Sequence, residues 1–302
     1  MNSSASLSHY NPASLRADAE DQAARLPALL ARAEHLAGAV LLGAHGRRRA
    51  GLGDDFWQYR PAQMGDSRRL IDHRRSAMGD HEFVREREWQ IAQSVMMWVD
   101  QGASMRFSSD RNLAHKADRA RVLGLALAIL LVRGGERVGL TGTTLPPRRG
   151  NAQVLRLADM FCQDDATDYS PPEHRAMIPH ARAVFISDFM GDIDGVKLAL
   201  TKAADRGVRG VLCHILDPSE EAFPFSGRTI FESIGGTLRH ETLKANDLRD
   251  RYLERLAERK AELQSLCALT GWHYGLHHTQ SGAQTALLWL YGALDARAGV
   301  AA

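Results

Sequence analysis

From residue 91 onward, short apolar runs alternate with amphipathic stretches of helical spacing. Val95 to Asp100, Arg137 to Leu140, Ala183 to Asp188, Val211 to Leu216 and Trp272 to His278 read as strands. Between them, Ala114 to Val132, Ala152 to Phe161, a face built from Ile193, Val196, Leu200 and Ala203, Leu248 to Leu266, and Ala283 to Leu294 read as helices. Runs apolar on both faces suit strands of a parallel sheet covered by helices on each side, and alternation of strand and helix is the signature of that architecture. Gly207 is a natural C-terminal cap for the helix before it, and Asp217-Pro218 reads as a turn closing the preceding strand. A small hairpin is expected from Thr229–Glu232 and Thr237–Leu243 across Gly235-Gly236.

The N-terminal part looks different. Residues 1–20 read as a loose polar tail, and Leu26, Leu29, Leu30, Ala33 and Leu36 mark an amphipathic helix that stops near Gly38. Between Arg47 and Glu88 there are ten arginines, no lysine and eight carboxylates. Such interleaving favours Arg–carboxylate forks, within the protein or with a partner protein, over a phosphate-binding surface. Phe56, Trp57 and Tyr59 read as anchors for this segment rather than as a platform for bases. The division expected is a tail over 1–20, a helical and Arg-rich extension over 21–90, and an α/β domain over 91–302.

Bulk properties narrow the function classes. With 302 residues, 44% apolar and 25% charged, the chain can bury a sizeable core. A net charge of +2 gives no reason to expect nucleic acid or an anionic membrane as partner. The longest apolar stretch, Val122 to Val132, is eleven residues between two arginines, short of the roughly 20 a spanning helix needs. Cys162, Cys213 and Cys267 are scattered, as in a reducing compartment. The reading is a soluble, cytoplasmic protein.

Candidate chemistry gathers at two strand ends. Asp100 and Asp188 both end buried strands, Ser104 follows Asp100 by one short loop, and the loop from Thr141 to Asn151 approaches the same edge. Ligands of open α/β sheets collect outside the carboxyl ends of the strands. Two carboxylates with hydroxyls suit a hard cation such as Mg2+ or Mn2+, whereas strand-end aspartates also serve as turn or N-cap residues. An enzyme alternative is a magnesium-dependent phosphatase or phosphotransferase with Asp100 as nucleophile. That chemistry calls for an acid two residues on, where Gly102 stands. His273, His277 and His278 read as surface or half-buried histidines, Gly51-Leu-Gly53 is no phosphate loop, and no hydrolase triad is legible.

Several of these blocks occur in a familiar order. Arg60-Pro61, Gly65-Asp66, Arg69, Ile71-Asp72, Ser76-Ala77, Val84-Arg-Glu86, Asp100-x-Gly-x-Ser-Met105, Ile186-Ser-Asp-Phe189 and Leu216-Asp-Pro-x-Glu220 together resemble the "domain of unknown function 58" family over residues 40–295. The resemblance implies a Rossmann-like three-layer domain of the von Willebrand factor A type, with a metal-ion-dependent adhesion site holding Mg2+ or Mn2+ at the top of a mostly parallel sheet. Asp100, Ser104 and Asp188 would be its ligands, with Asn151 the nearest donor from the second loop. Arg60, Asp66, Arg68, Arg69 and Asp72 would form an accessory partner-binding or ion-pair segment. The chain departs from the pattern at Gly102, which lacks a ligating hydroxyl, and at His73 and Met78. The implied function is non-enzymatic protein binding, in partnership with a MoxR-type AAA ATPase, without nucleic acid or membrane.

Overall fold

The computed structural model describes residues 27–40, 56–62, 71–77, 79, 82–87, 93–163, 165, 167–233, 236 and 239–295. In chain order these give α1 (residues 27–40), β1 (Phe56–Pro61), α2 (His73–Ser76), β2 (Phe83–Arg87), β3 (Ser94–Val99), α3 (Lys116–Arg133), β4 (Arg137–Leu140) and α4 (Asn151–Phe161). They continue with β5 (Arg182–Ser187), α5 (Ile193–Asp205), β6 (Arg209–Leu216), α6 (Pro218–Ala222), β7 (Thr229–Glu232), β8 (Arg239–Thr242), α7 (Asn246–Thr270), β9 (His273–His278) and α8 (Ala283–Asp295).

Five strands pair in the order β4-β3-β5-β6-β9, and every pairing is parallel. Because successive strand side chains point to opposite faces, each strand feeds two cores. Val95, Met97, Val99, Val184, Ile186, Val211, Cys213 and Ile215 face one side, where α1, α3, α4 and α8 pack. Met96, Ala183, Phe185 and Leu212 face the other, against α5 and α7. The fold is therefore α/β, Rossmann-like, in three layers. Close packing of α3 needs Gly124, since a Cβ there would lie 2.8 Å from Val99 Cγ2.

The layers also locate the switch in direction. From β3 the chain leaves through α3 on one face towards β4, while from β5 it leaves through α5 on the other face towards β6. The crevice between β3 and β5 is thus the topological switch point, the place where doubly wound sheets take ligands.

Three local readings of the sequence change. Asp217-Pro218 is not a turn; Asp217 is the N-cap of α6, Pro218 its first residue, and Glu220 completes a reciprocal capping box. β1 and β2 form an antiparallel pair within the Arg-rich segment, where charged residues conceal the strand alternation. His277 is buried rather than half-exposed, against Arg119, while His278 turns to Glu221. Among the described residues, no helix is long and apolar enough to cross a membrane. The 1–20 tail, Asp66, Arg68 and Arg69 lie outside the described residues.

Candidate functional site

The loop after β3 is short and tied down. The Asp100 amide continues the ladder to Ile186, and Ala103 and Ser104 amides donate to the carbonyls of Thr167 and Asp168 at 2.8 and 3.0 Å. The Asp100 carboxylate is spanned locally: Oδ1 accepts from the Gly102 amide at 2.8 Å and Oδ2 from the Ser187 hydroxyl at 2.6 Å. Burial, then the nearby Asp188 charge, pushes Asp100 up to about 7, against the pull of those two donors.

Asp188 ends the neighbouring strand and meets a different partner. Its Oδ1 accepts from the Met190 amide, and its Oδ2 lies 2.7 Å from the Lys116 ammonium. Lys116 is the first residue of α3 and reaches back over the strand ends, as side chains in a first helical turn do. The same ammonium lies 2.6 Å from Glu220 Oε1, with the lysine side chain 2% exposed. A cation at a helix N-terminus opposes the helix dipole, so the placement depends on these two carboxylates. Burial disfavours every charge here. Even so, the Lys116 ammonium holds Asp188 below the usual carboxylate range, and the two acids hold Lys116 above the usual lysine range.

Glu220 is aimed by the capping box of α6. Its Oε2 accepts from the Asp217 amide at 2.7 Å, leaving Oε1 for Lys116. Asp217 in turn accepts from the Ser109 amide at 3.0 Å, which binds α6 to the loop that precedes α3. The buried row Asp188–Lys116–Glu220 is therefore assembled from β5, α3 and α6.

Above this row opens a cavity of about 590 Å³. Ser104, Lys116, Asp188 and Glu220 form its floor, and Phe107, Tyr169, Phe223, Phe225, Phe231 and Tyr252 its walls. Three of the rings meet Phe223: Tyr252 tilted at a centroid distance of 5.0 Å, Phe225 edge to face at 5.2 Å and Phe231 stacked at 5.7 Å. Phe223 adopts a left-handed backbone with φ 43°, an uncommon state for a bulky residue that surrounding structure has to enforce. Phe189, directly after Asp188, does the same with φ 47°. The Ser104 hydroxyl is buried at the floor and, among the described residues, meets no hydrogen-bond partner. A smaller cavity of about 180 Å³ adjoins, lined by Asp100, Ser187, Asp188 and Tyr169.

The structure thus brings Asp100, Ser104 and Asp188 to one edge. Asn151 is not with them: it is exposed at the start of α4 and lines neither cavity. Thr141 is buried beside β3, with its hydroxyl 3.5 Å from the Met97 carbonyl. Asp72 caps α2 by accepting from the Arg75 amide, and Arg60 lies on β1. Sequence reasoning missed Lys116 and the aromatic walls, and placed Glu220 only as an acid of a turn that could extend a partner-facing rim. Asp217-Pro-Ser-Glu220 carried a readable signal, being an N-cap, a proline at N1 and an acid at N3.

The donor set does not suit a divalent cation. An ion bound at Asp188 would lie against the Lys116 ammonium, and both Asp100 oxygens already hold donors. A Cβ at Gly102 would come within 3.0 Å of Asp100 Oδ1 and of the Asp168 carbonyl, so this loop has little room for the missing hydroxyl. Among the described residues, no group of three or more His, Cys, Asp or Glu side chains is gathered to hold a metal ion.

The model of the family described as "Protein of unknown function DUF58" matches residues 58–262. This chain is a member of that family. The match spans β1 to α7 and contains Asp100, Ser104, Lys116, Asp188, Glu220 and the rings that wall the cavity. Two solved structures are similar to 68% of this DUF58 chain and to 100% of their own, each at 14% identity. One is an aerotolerance-related membrane protein from Bacteroides fragilis carrying multiple mutations to serines, with a TM-score of 0.39. The other is the conserved hypothetical protein BatB from Bacteroides thetaiotaomicron, with a TM-score of 0.38. No curated protein matches the chain.

Proposed function

We propose that this DUF58 protein is a non-enzymatic, metal-independent protein-interaction module, and that the aromatic-walled cavity over the Asp188–Lys116–Glu220 row is its docking element. The observation that carries the reading is the Lys116 ammonium, 2.7 Å from Asp188 and 2.6 Å from Glu220. A von Willebrand A-type adhesion site needs a cation to organise its acidic strand ends; here a covalently attached ammonium supplies that charge. Pockets of roughly 300–1,000 Å³ with apolar walls and a few convergent polar groups are the usual form of a binding site. The chain's three buried cysteines are thiols, which supports a cytoplasmic setting.

A phosphatase or phosphotransferase with Asp100 as nucleophile has less support. Both oxygens of that carboxylate accept short hydrogen bonds, and a group pushed up to about 7 is only partly ionised near neutral pH, where it would have to attack. Asp100 also lines the small cavity rather than the large one.

The family resemblance makes a MoxR-type AAA ATPase the partner to test first. The full-length chain, immobilised, should bind the MoxR-type ATPase of its own genome in a biosensor assay without added metal, and Phe231→Ala should weaken binding at least tenfold. An ATPase that does not bind overturns that partner. A Phe231→Ala chain that binds as well as the wild type overturns the cavity as docking element.

A further inference from the structure

We infer that the cavity takes a basic side chain, a lysine or arginine projecting from the partner segment; this rests on reading the cavity as a protein-docking element. Three features of the site point the same way. Among the described residues the floor carries two carboxylates, Asp188 and Glu220, against one ammonium, Lys116; burial raises Glu220 above its ordinary value, and a guest cation would favour its charged form. Glu220 is the member of the row that reaches the open space, with its side chain 16% exposed. A guest cation therefore meets an unbalanced carboxylate on arrival.

The walls supply the second feature. Phe223, Phe225, Phe231 and Tyr252 form a contiguous ring cluster from the segment just after α6, the β7–β8 hairpin and α7, and the negative faces of such rings attract cations. The site already holds one cation in this manner, because Lys116 Nζ lies 5.7 Å from the Phe107 ring centroid. The third feature is Ser104 on the cavity floor, whose hydroxyl oxygen has no hydrogen-bond partner among the described residues and keeps lone pairs to accept a donor from the guest. Both wall tyrosines agree with a negative interior. Burial raises their phenols above the usual range, and the site's carboxylates raise them further against the pull of the Lys116 ammonium.

The mouth has the opposite character. Arg251 and Arg255 on α7 and His240 on β8 stand there with Glu232, all exposed to solvent. Charges in water are screened, so they weaken the interior field without reversing it. They also favour an acidic neighbour beside the basic residue in the partner segment.

The test uses N-acetyl-lysine methylamide, N-acetyl-norleucine methylamide and N-acetyl-glutamate methylamide, titrated into the full chain with carbon-13-labelled phenylalanine and tyrosine rings. The lysine probe should shift wall-ring signals saturably and bind at least tenfold tighter than the norleucine probe. Glu220→Gln should weaken it at least fivefold. Arg255→Ala, a change at an exposed position that leaves the fold alone, should tighten it about twofold. Equal binding of the lysine and norleucine probes, a preference for the glutamate probe, no response from any probe, or weaker lysine binding in Arg255→Ala each overturns the inference. None of those outcomes bears on the ATPase assay, which tests the docking reading by itself.

Discussion

Asp100 and Asp188 are the same residue type at the same ends of adjacent parallel strands, yet they are held in opposite ways. Asp100 accepts from an amide and a hydroxyl, both neutral, and is pushed up to about 7. Asp188 accepts from an ammonium and is held below the usual range. Burial is nearly equal, at 2% and 1% exposure, so burial does not separate them. The partner does. A neutral donor satisfies the geometry of a buried carboxylate without balancing its charge, whereas an ammonium does both. The consequence is a division of labour at the switch point. The Asp100 side is an internal brace for two loops, and the Asp188 side is a charged floor beneath an open cavity.

The largest effect should come from removing the ammonium. Lys116→Ala strands Asp188 and Glu220 together in the interior, and breaking a buried pair costs about 3–5 kcal/mol. Urea denaturation should register this as a lower midpoint at unchanged slope. A loss near zero would mean that the row is not closed in solution.

Next in size is the pH behaviour of the brace. A carboxyl raised from 3.8 to about 7 contributes stability that is fully present below pH 3.8 and is lost as pH rises through 7. Asp100→Asn removes this titration. Its stability relative to wild type should therefore rise by about 2–3 kcal/mol between pH 5 and pH 8, given 1.36 kcal/mol per pKa unit. A difference that stays flat with pH would contradict the buried, neutral-donor environment. His214 works in the reverse direction: burial lowers it to about 3, so its contribution is present above pH 6.5 and is lost as pH falls through 3. Comparing variant with wild type cancels that background.

The smallest effect probes the loop between the two acids. Gly102→Ser restores the hydroxyl of an adhesion-site loop but sets its Cβ 3.0 Å from Asp100 Oδ1. Crowding of this kind costs about 1–3 kcal/mol, readable as a lowered melting temperature. The substitution should confer no response to magnesium.

Much of this architecture was legible from periodicity. The runs Ser94–Val99 and Arg182–Ser187 are apolar on both faces, and their terminal aspartates mark the edge where the site forms. What remained hidden was assembled by the fold. Lys116 sits among charged residues that read as a solvated helix start, and nothing local announces that it turns back over β5. The cavity rings come from loops, the segment after α6, a hairpin and α7, separate stretches with no shared period. Glu220 was visible only as an acid in an expected turn, although its capping role was written in the Asp-Pro-x-Glu order. In each case the missing information was a tertiary contact, to which local pattern is blind.

One measurement separates a lysine-organised site from a metal-organised one. Thermal melts of the wild-type chain and of Asp188→Ala should be recorded in chelator and in millimolar Mg2+ or Mn2+. A site organised by Lys116 gives a wild-type melting temperature unchanged by either ion. A bound ion at a hundredfold excess over its dissociation constant would add about 2.7 kcal/mol. A dose-dependent rise in the wild type that vanishes in Asp188→Ala would contradict the substitution of Lys116 for a metal.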